Sequence, residues 1–145
     1  MGFRLSLHPA RGLAYFRMVG DVALQECIDT FVSYVDHPLF DPAFVMLTDT
    51  RDLVHVDADF RRILWAVERT RKLFDRFPKG TLCVIHAPRD VNFGLARILQ
   101  QVAEPFSPFR IAIERDEAAA LALAGQAETG FDALETALAA GAGPG

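Results

Sequence analysis

The sequence predicts a single α/β domain with a mostly parallel central sheet of about five strands and helices mainly on one face. Segments that suit strands alternate with segments that suit helices, in the order β-β-α-β-α-β-α-β-α. Two strand segments, "PAFVMLTD" and "TLCVIHA", are short apolar runs typical of strands covered on both faces. A chain of 145 residues that is 51% apolar can bury one hydrophobic core.

The N-terminal part predicts a β-hairpin followed by a helix. In "FRLSLHPARGLAYFRMVG", apolar residues alternate with polar ones on both sides of turn residues 9–12. Gly20 is predicted to end the second strand, and Asp21 to cap the first helix. That helix is expected to stop before a His-Pro pair, because the residue ahead of proline resists the α conformation. The next strand is predicted to end at Asp49 and to pass into a loop over 49–59.

The remaining sequence predicts further alternation and a tail. A second helix is expected from about residue 58 to residue 76, and a third in "PRDVNFGLARILQQVAEPF", with Val91 facing inward and Gly94 letting the helix approach the sheet. The strand "FRIAIERD" and the helix "DEAAALALA" complete a domain predicted to span residues 1–125. Residues 126–145 predict an amphipathic helix and a disordered Ala/Gly/Pro-rich end.

Composition excludes several classes of protein. A net charge of -4 gives no basic patch for nucleic acid. No long uncharged apolar segment is present, so we predict neither a signal peptide nor integral membrane association. Cys27 and Cys83 lie far apart in apolar surroundings, which indicates reduced core thiols and a cytoplasmic protein. Abundant Ala, Gly and Arg indicate a bacterial source.

Three motifs connect the predicted fold to a family. A hairpin ends in Gly20-Asp21, "VMLTDTRDLVHVDADF" joins a strand to a helix through an acidic loop, and "NFGLARIL" contains Gly94 and Arg97 in a Gly-x-x-Arg helix. With the element order, these motifs resemble the STAS domains of anti-sigma-factor antagonists, and more closely the divergent bacterial SpoIIAA-like proteins. The resemblance covers roughly residues 3–124, and it implies a STAS-like fold that works through protein contacts.

The resemblance fails at the regulatory serine. In regulated STAS proteins the loop before the second helix carries Asp-Ser-Ser-Gly, whose second serine is phosphorylated by a partner kinase. Asp57, Ala58, Asp59 and Phe60 stand at those positions, so the phosphorylatable hydroxyl is missing. The Asp59 carboxylate either mimics the phosphorylated state at the positive end of a helix or is simply a favourable first-turn residue.

The acidic stretch and the strand ends carry no recognisable chemistry. Asp57 and Asp59 lack the glycine and the distal glutamate of a calcium loop, so we predict no metal and no cofactor. Asp49 either faces a ligand crevice at the strand ends or anchors the next loop by accepting backbone N–H bonds. Arg97 either binds an anion or pairs with a nearby aspartate. No nucleophile-base pair or glycine-rich phosphate loop is recognisable, so we predict no catalytic residues.

Two functions remain. We predict a non-enzymatic regulatory module that binds a protein partner through one face formed by Gly20, Asp21, Asp49, Arg51, Asp57, Asp59, Gly94 and Arg97. The amphipathic tail helix offers a surface to a second copy, which would form a homodimer. The alternative is a carrier of a small apolar ligand or lipid with a SEC14-like pocket, in which the many phenylalanines line a cavity. An unfilled apolar cavity between sheet and helices would favour the carrier, and a packed interior the module.

Overall fold

The computed structural model describes residues 2–141, which form one five-stranded sheet and five α-helices. The elements are β1 (Phe3–His8), β2 (Leu13–Val22), α1 (Leu24–Val35), β3 (Val45–Val56), α2 (Phe60–Thr70), β4 (Thr81–His86), α3 (Asp90–Ala103), β5 (Phe109–Glu114), α4 (Glu117–Leu123) and α5 (Phe131–Gly141). The strands lie in the order β1-β2-β3-β4-β5; β1 is antiparallel to β2, and all other pairs are parallel. The predicted α/β class is confirmed.

The N-terminal hairpin forms as predicted, but its second strand is longer. Gly12 closes the turn with a φ of 60°, a conformation that favours glycine. Gly20, with a φ of 68°, lies at a register irregularity inside β2 and does not end the strand. The prediction that Asp21 caps α1 is therefore wrong: the N-cap is Ala23, whose backbone N–H donates to the Glu26 side chain at 3.3 Å.

The predicted loop over 49–59 is also wrong for most of its length, because β3 continues to Val56. Beyond the irregularity, Gly20 pairs with Leu53 and Val22 with Val56. Each strand thus supplies the backbone partners that the other needs. The polar run after Asp49 is an extension of the sheet.

The two faces of the sheet are covered differently. Helices α1, α2 and α3 pack over one face, called here the cavity face. Helices α4 and α5 pack on part of the opposite face, called here the α5 face, where Phe131, Leu134 and Leu138 are buried. The apolar stripe of the predicted tail helix is therefore occupied within its own chain, and a second copy would need another surface. The predicted disordered end includes residues 142–145, which lie outside the described residues.

Two predictions about α3 are wrong. Val91 does not face inward, since 62% of it is exposed. Gly94 is exposed as well, and a Cβ atom added there would meet nothing within 4 Å, so this glycine does not bring the helix close to the sheet. The inward side of α3 begins at Asn92, which is 4% exposed.

Candidate functional site

A cavity of about 290 Å³ lies between the cavity face of the sheet and helices α1, α2 and α3. The closest backbone neighbours of α2 are α1 and α3 on either side of it, not the strands beneath. Helix α2 therefore bridges its two neighbours and leaves space between itself and β3. The walls of that space are mainly Phe, Leu, Ile, Val and Met side chains, among them Phe16, Phe31, Phe74 and Phe109.

Small side chains at inward positions leave the cavity unfilled. Ala66 on α2 and Ala96 on α3 reach little beyond the helix backbone, and Thr48 and Cys83 occupy the facing strands. Thr48 and Cys83 lie within central strands of the sheet, yet both keep accessible surface. That surface faces the cavity, since neighbouring strands enclose both residues laterally.

The cavity walls contain no charged side chain and few polar ones. The Thr50 hydroxyl donates to the His86 carbonyl at 2.7 Å, and the Thr70 hydroxyl donates to the Ala66 carbonyl at 3.0 Å. The amide Nδ2 of Asn92 lies 3.4 Å from the Thr50 carbonyl oxygen, a long hydrogen bond. Within residues 2–141, neither the Asn92 Oδ1 atom nor the Thr48 hydroxyl has a hydrogen-bond partner.

The two thiols in the cavity walls are unreactive. Burial raises the pKa of Cys27 to about 12, and burial likewise raises the pKa of Cys83. A thiol becomes a nucleophile only as the thiolate, so both cysteines stay protonated and inert near neutral pH. Both are free cysteines.

On the opposite side of the sheet, Asp49 is the centre of a second group of polar residues, called here the polar cluster. Its carboxylate is 1% exposed and accepts hydrogen bonds from the Tyr15 hydroxyl at 2.9 Å, from the Arg51 backbone N–H at 2.9 Å and from Arg51 Nε at 3.0 Å. His86 Nδ1 lies 3.7 Å from Asp49 Oδ1, too far for a direct hydrogen bond, while His86 Nε2 donates to the Arg115 carbonyl at 3.1 Å. Asp49 thus anchors the backbone beyond it, the second of the two roles predicted for it.

Helix α5 completes the polar cluster. Glu135 lies 3.0 Å from the Tyr15 hydroxyl and 2.9 Å from Arg17 Nη1, and Asp132 accepts from Arg51 Nη1 at 2.9 Å. Burial, followed by the charges of Asp49 and Glu135, raises the pKa of Tyr15, so the phenol stays protonated and donates its single hydrogen. The polar cluster joins α5 to β2 and β3.

Charge also sets the ionisation of Asp49. Burial alone would raise its pKa, but the polar neighbours His86, Arg51 and Tyr15 hold it below its usual value. We attribute the lowering chiefly to Arg51 and Tyr15, because these two bond to the carboxylate directly. Asp49 is therefore ionised throughout the neutral pH range.

The structure divides the eight predicted partner-binding residues into two groups. Asp49 and Arg51 lie in the polar cluster on the α5 face. The other six lie on the end of the sheet or along α3: Gly20, Asp21, Asp57, Asp59, Gly94 and Arg97. Arg89 ties the start of α3 to this end of the sheet, because its guanidinium donates to the Leu53 carbonyl at 2.8 Å.

The exposed members have ordinary local roles. Asp57 pairs with Arg62 at 2.5 Å, and Asp59 is the N-cap of α2, accepting from the Arg62 backbone N–H at 2.9 Å. Asp59 therefore acts at the start of the helix, which agrees with the second of the two roles predicted for it, although it lies one residue before the first turn. Arg97 has no carboxylate within ion-pair distance among residues 2–141, so the predicted ion pair is wrong, and the anion-binding alternative stays a prediction.

The N-cap of α2 gives a test of this local structure. Asp59→Ala is expected to lower the free energy of unfolding by about 1 kcal/mol, whereas Asp59→Ser, which can still cap, should cost less. Asp57→Ala is the matched control and should cost less than about 1 kcal/mol, since it removes only an exposed ion pair. Urea denaturation measures all three variants, and equal losses for Asp59→Ala and Asp59→Ser would contradict the capping role.

Sequence reasoning offered the cavity only within the alternative function, through the phenylalanines, and it missed the members of the polar cluster other than Asp49 and Arg51. A signal for the cavity exists, because residues with small side chains recur at inward helix and strand positions, as at Thr48, Ala66 and Ala96. The polar cluster has a weaker signal. Tyr15 and Arg17 stand on one face of β2, but nothing local in the sequence places Glu135 beside them.

Comparison with known proteins gives one informative similarity. No family model and no curated protein matches the sequence. A solved structure does: an uncharacterised protein of the DUF3478 family from Shewanella loihica PV-4, described as having a SpoIIAA-like fold, superposes with a TM-score of 0.51 at 16% identity, covering 83% of this chain and 90% of that one. The fold is SpoIIAA-like. The resemblance predicted from the sequence is confirmed at the level of fold.

The SpoIIAA-like sheet explains where both candidate sites lie. Strands β2 and β3 pair as far as Val22 and Val56, whereas β4 ends opposite Asp49, and the side chains of β3 alternate between the two faces. Thr48 and Thr50 therefore reach the cavity, while Asp49 reaches the polar cluster. Within residues 2–141, no helix is long and apolar enough to cross a membrane.

Proposed function

We propose that this SpoIIAA-like protein binds a small apolar ligand in the cavity between the sheet and helices α1–α3. One observation supports the proposal above all others: about 290 Å³ of space is lined mainly by apolar side chains, and none of the described residues in its walls is charged. This volume is close to the lower end of the range for small-molecule pockets, roughly 300–1,000 Å³. An engineered cavity of about 150 Å³ already admits benzene.

The hydrophobic effect also supports a ligand. Apolar surface that moves from water into an apolar environment gains roughly 25 cal/mol per Å². An apolar ligand in this space would remove its own surface and that of the cavity walls from water, and it would gain van der Waals contacts with the wall side chains.

The proposed role is non-enzymatic. The thiols of the cavity stay protonated, and its walls contain no carboxylate, histidine or lysine that could transfer a proton. The site therefore has the chemistry to hold a molecule and not to transform it. The cytoplasmic location remains a prediction that rests on the two free cysteines.

Pyrene tests the proposal, because it is apolar, has no hydrogen-bonding group and reports the polarity of its surroundings through its emission bands. We expect saturable binding with one pyrene per chain and an emission spectrum typical of an apolar medium. Binding should also raise the unfolding temperature, since a ligand that binds only the folded state stabilises it. A pyrene emission spectrum that remains typical of water at saturating protein concentration would refute the proposal.

Docking of a protein partner is a second candidate, supported by exposed apolar side chains at the end of the sheet. Val54 is 59% exposed, Phe60 56% and Val91 62%, and Asp57 and Asp59 lie between Val54 and Phe60 in the sequence. Exposed apolar residues beside charged ones favour a contact surface. A binding assay with Asp59→Ser separates docking from capping, because serine removes the charge and keeps the cap. Undiminished partner binding by this variant would remove the Asp59 charge from the docking hypothesis.

A further inference from the structure

The polar atoms in the cavity walls indicate which kind of apolar ligand would fit. Resting on the proposed function, we infer that the ligand is an uncharged molecule with one hydrogen-bond donor, such as an alcohol, and that the Asn92 side-chain oxygen accepts this hydrogen bond. Three features of the cavity support this ligand. Its walls have no positive charge to pair with an anionic ligand, the Asn92 amide has a defined orientation, and that amide has a defined position along the sheet.

The missing countercharge excludes a carboxylate ligand. No arginine, lysine or histidine lies among the cavity walls. Moving an ionised carboxylate from water into an apolar space without a partner is strongly unfavourable, so a fatty-acid anion would enter poorly. A neutral polar group has a far smaller cost, which one good hydrogen bond offsets.

The orientation of Asn92 leaves an acceptor free. Asn92 is 4% exposed, and its Nδ2 atom lies 3.4 Å from the Thr50 carbonyl oxygen and 3.5 Å from that of Leu53. Two carbonyl oxygens on that side fix the amide, because only the NH₂ group can donate to them. The Oδ1 atom is then left without a partner among residues 2–141 while Asn92 lines the cavity. Among the described residues, the fully buried side-chain atoms without a partner are Arg17 Nε and His86 Nδ1, so Asn92 Oδ1 keeps accessible surface. An accessible acceptor in an otherwise apolar cavity favours a ligand that brings a donor.

The position of Asn92 indicates where the polar end of the ligand lies. Asn92 is in the first turn of α3, beside the part of β3 that contains Thr50 and Leu53. Thr48 lies two residues before Thr50 on the same face of β3, about 7 Å from it along the strand. The ligand head would lie near Asn92. Its apolar body would extend between Phe31 of α1, Phe109 of β5 and Phe74, which lies in the 3-10 helix (Arg71–Arg76) after α2.

A matched pair of isomers tests this inference. 1-Nonanol and methyl octyl ether have the same atoms and nearly the same shape, but only the alcohol can donate a hydrogen bond. In displacement of pyrene from the wild-type protein, we expect 1-nonanol to bind about threefold to tenfold more tightly than the ether. Nonanoate at pH 8 should bind at least tenfold more weakly than 1-nonanol.

Two variants assign the preference to one side chain. Asn92→Leu should remove the difference in affinity between 1-nonanol and methyl octyl ether, and the ratio of the two affinities within this one protein is the readout. Thr48→Val, which removes the other unpartnered hydroxyl and keeps the side-chain shape, should preserve the difference. A preference that survives in Asn92→Leu, or disappears in Thr48→Val, would overturn the assignment to Asn92.

The affinities of 1-nonanol, methyl octyl ether and nonanoate for the wild-type protein test the inference even if the variants are unstable. Equal affinities of alcohol and ether, or tight binding of nonanoate, would overturn it while pyrene binding left the proposed function intact. Failure of pyrene and of all three compounds to bind would overturn both.

Discussion

Asp49→Ala is expected to lower the free energy of unfolding by about 3–5 kcal/mol, the largest effect of any single substitution considered for this protein. The Asp49 carboxylate is 1% exposed and bonds to both Tyr15 and Arg51. Without it, the guanidinium of Arg51 loses its most buried partner and the Tyr15 hydroxyl keeps only Glu135. Because the Arg51 guanidinium keeps Asp132 and Glu135 as partners, most of the loss comes from the Arg51 backbone N–H and Nε donors, which lose a buried acceptor. Urea denaturation monitored by far-ultraviolet circular dichroism measures it.

The neighbouring carboxylate at Asp52 supplies the matched control. Its side chain is 51% exposed and pairs with Arg17 at 2.6 Å. Asp52→Ala should cost less than about 1 kcal/mol, because exposed ion pairs contribute little. Equal losses for Asp49→Ala and Asp52→Ala would contradict a structural role of the polar cluster.

The same carboxylate makes stability depend on pH in a definite direction. The pKa of Asp49 is lower in the folded chain than its usual value of 3.8. A lowered folded-state pKa contributes stability above the unfolded pKa, and this contribution is lost as the pH falls through the folded pKa. The wild type should therefore lose stability below about pH 4, and Asp49→Asn should lose less over that interval. A parallel decline in both proteins would show that other carboxylates dominate.

Ala66→Phe is expected to abolish pyrene binding while raising the free energy of unfolding by about 0.5–2 kcal/mol. Ala66 lines the cavity from α2, so a phenyl ring at this position would project into the space that the ligand is proposed to occupy. The added ring gains contacts where none existed, and this gain is the reason for the higher stability. Loss of binding together with higher stability distinguishes filling of the cavity from damage to the fold.

Ala133→Phe is the control for that substitution. Ala133 is an exposed residue of α5, on the other side of the sheet from the cavity. The same chemical change at this position should leave pyrene affinity unchanged within about twofold and change stability by less than about 0.5 kcal/mol. Retained binding in Ala66→Phe, or equal loss in both variants, would contradict the location of the binding site.

The sequence predicted the elements well where local signals were strong. The turn at Gly12, the end of α1 before Pro38 and the cap at Asp59 depend on the backbone preferences of a few residues, and all three are present. Errors arose where a partner strand decides. Gly20 would end an isolated strand, but pairing with the extended β3 maintains β2 through it.

The site shows the same division. In the sequence, the acidic stretch stands out because it is rich in charged residues. In the structure, its members cap α2, form an exposed ion pair or lie buried in the polar cluster. The cavity arises from residues that carry no charge and no nucleophile, namely alanines and threonines on α2, α3 and β3. No single one of them carries a recognisable chemistry.

By itself, the sequence determined the α/β class, the order of the elements and the lack of serine in residues 57–60, because periodicity, turn chemistry and residue identity are local properties. The tertiary structure alone decided that α2 spans from α1 to α3 above an unfilled space, and that α5 returns to cover Asp49. Both outcomes depend on contacts between residues far apart in the chain. The volume left between packed elements depends on the sizes of many side chains from different parts of the chain, and no local sequence pattern encodes it.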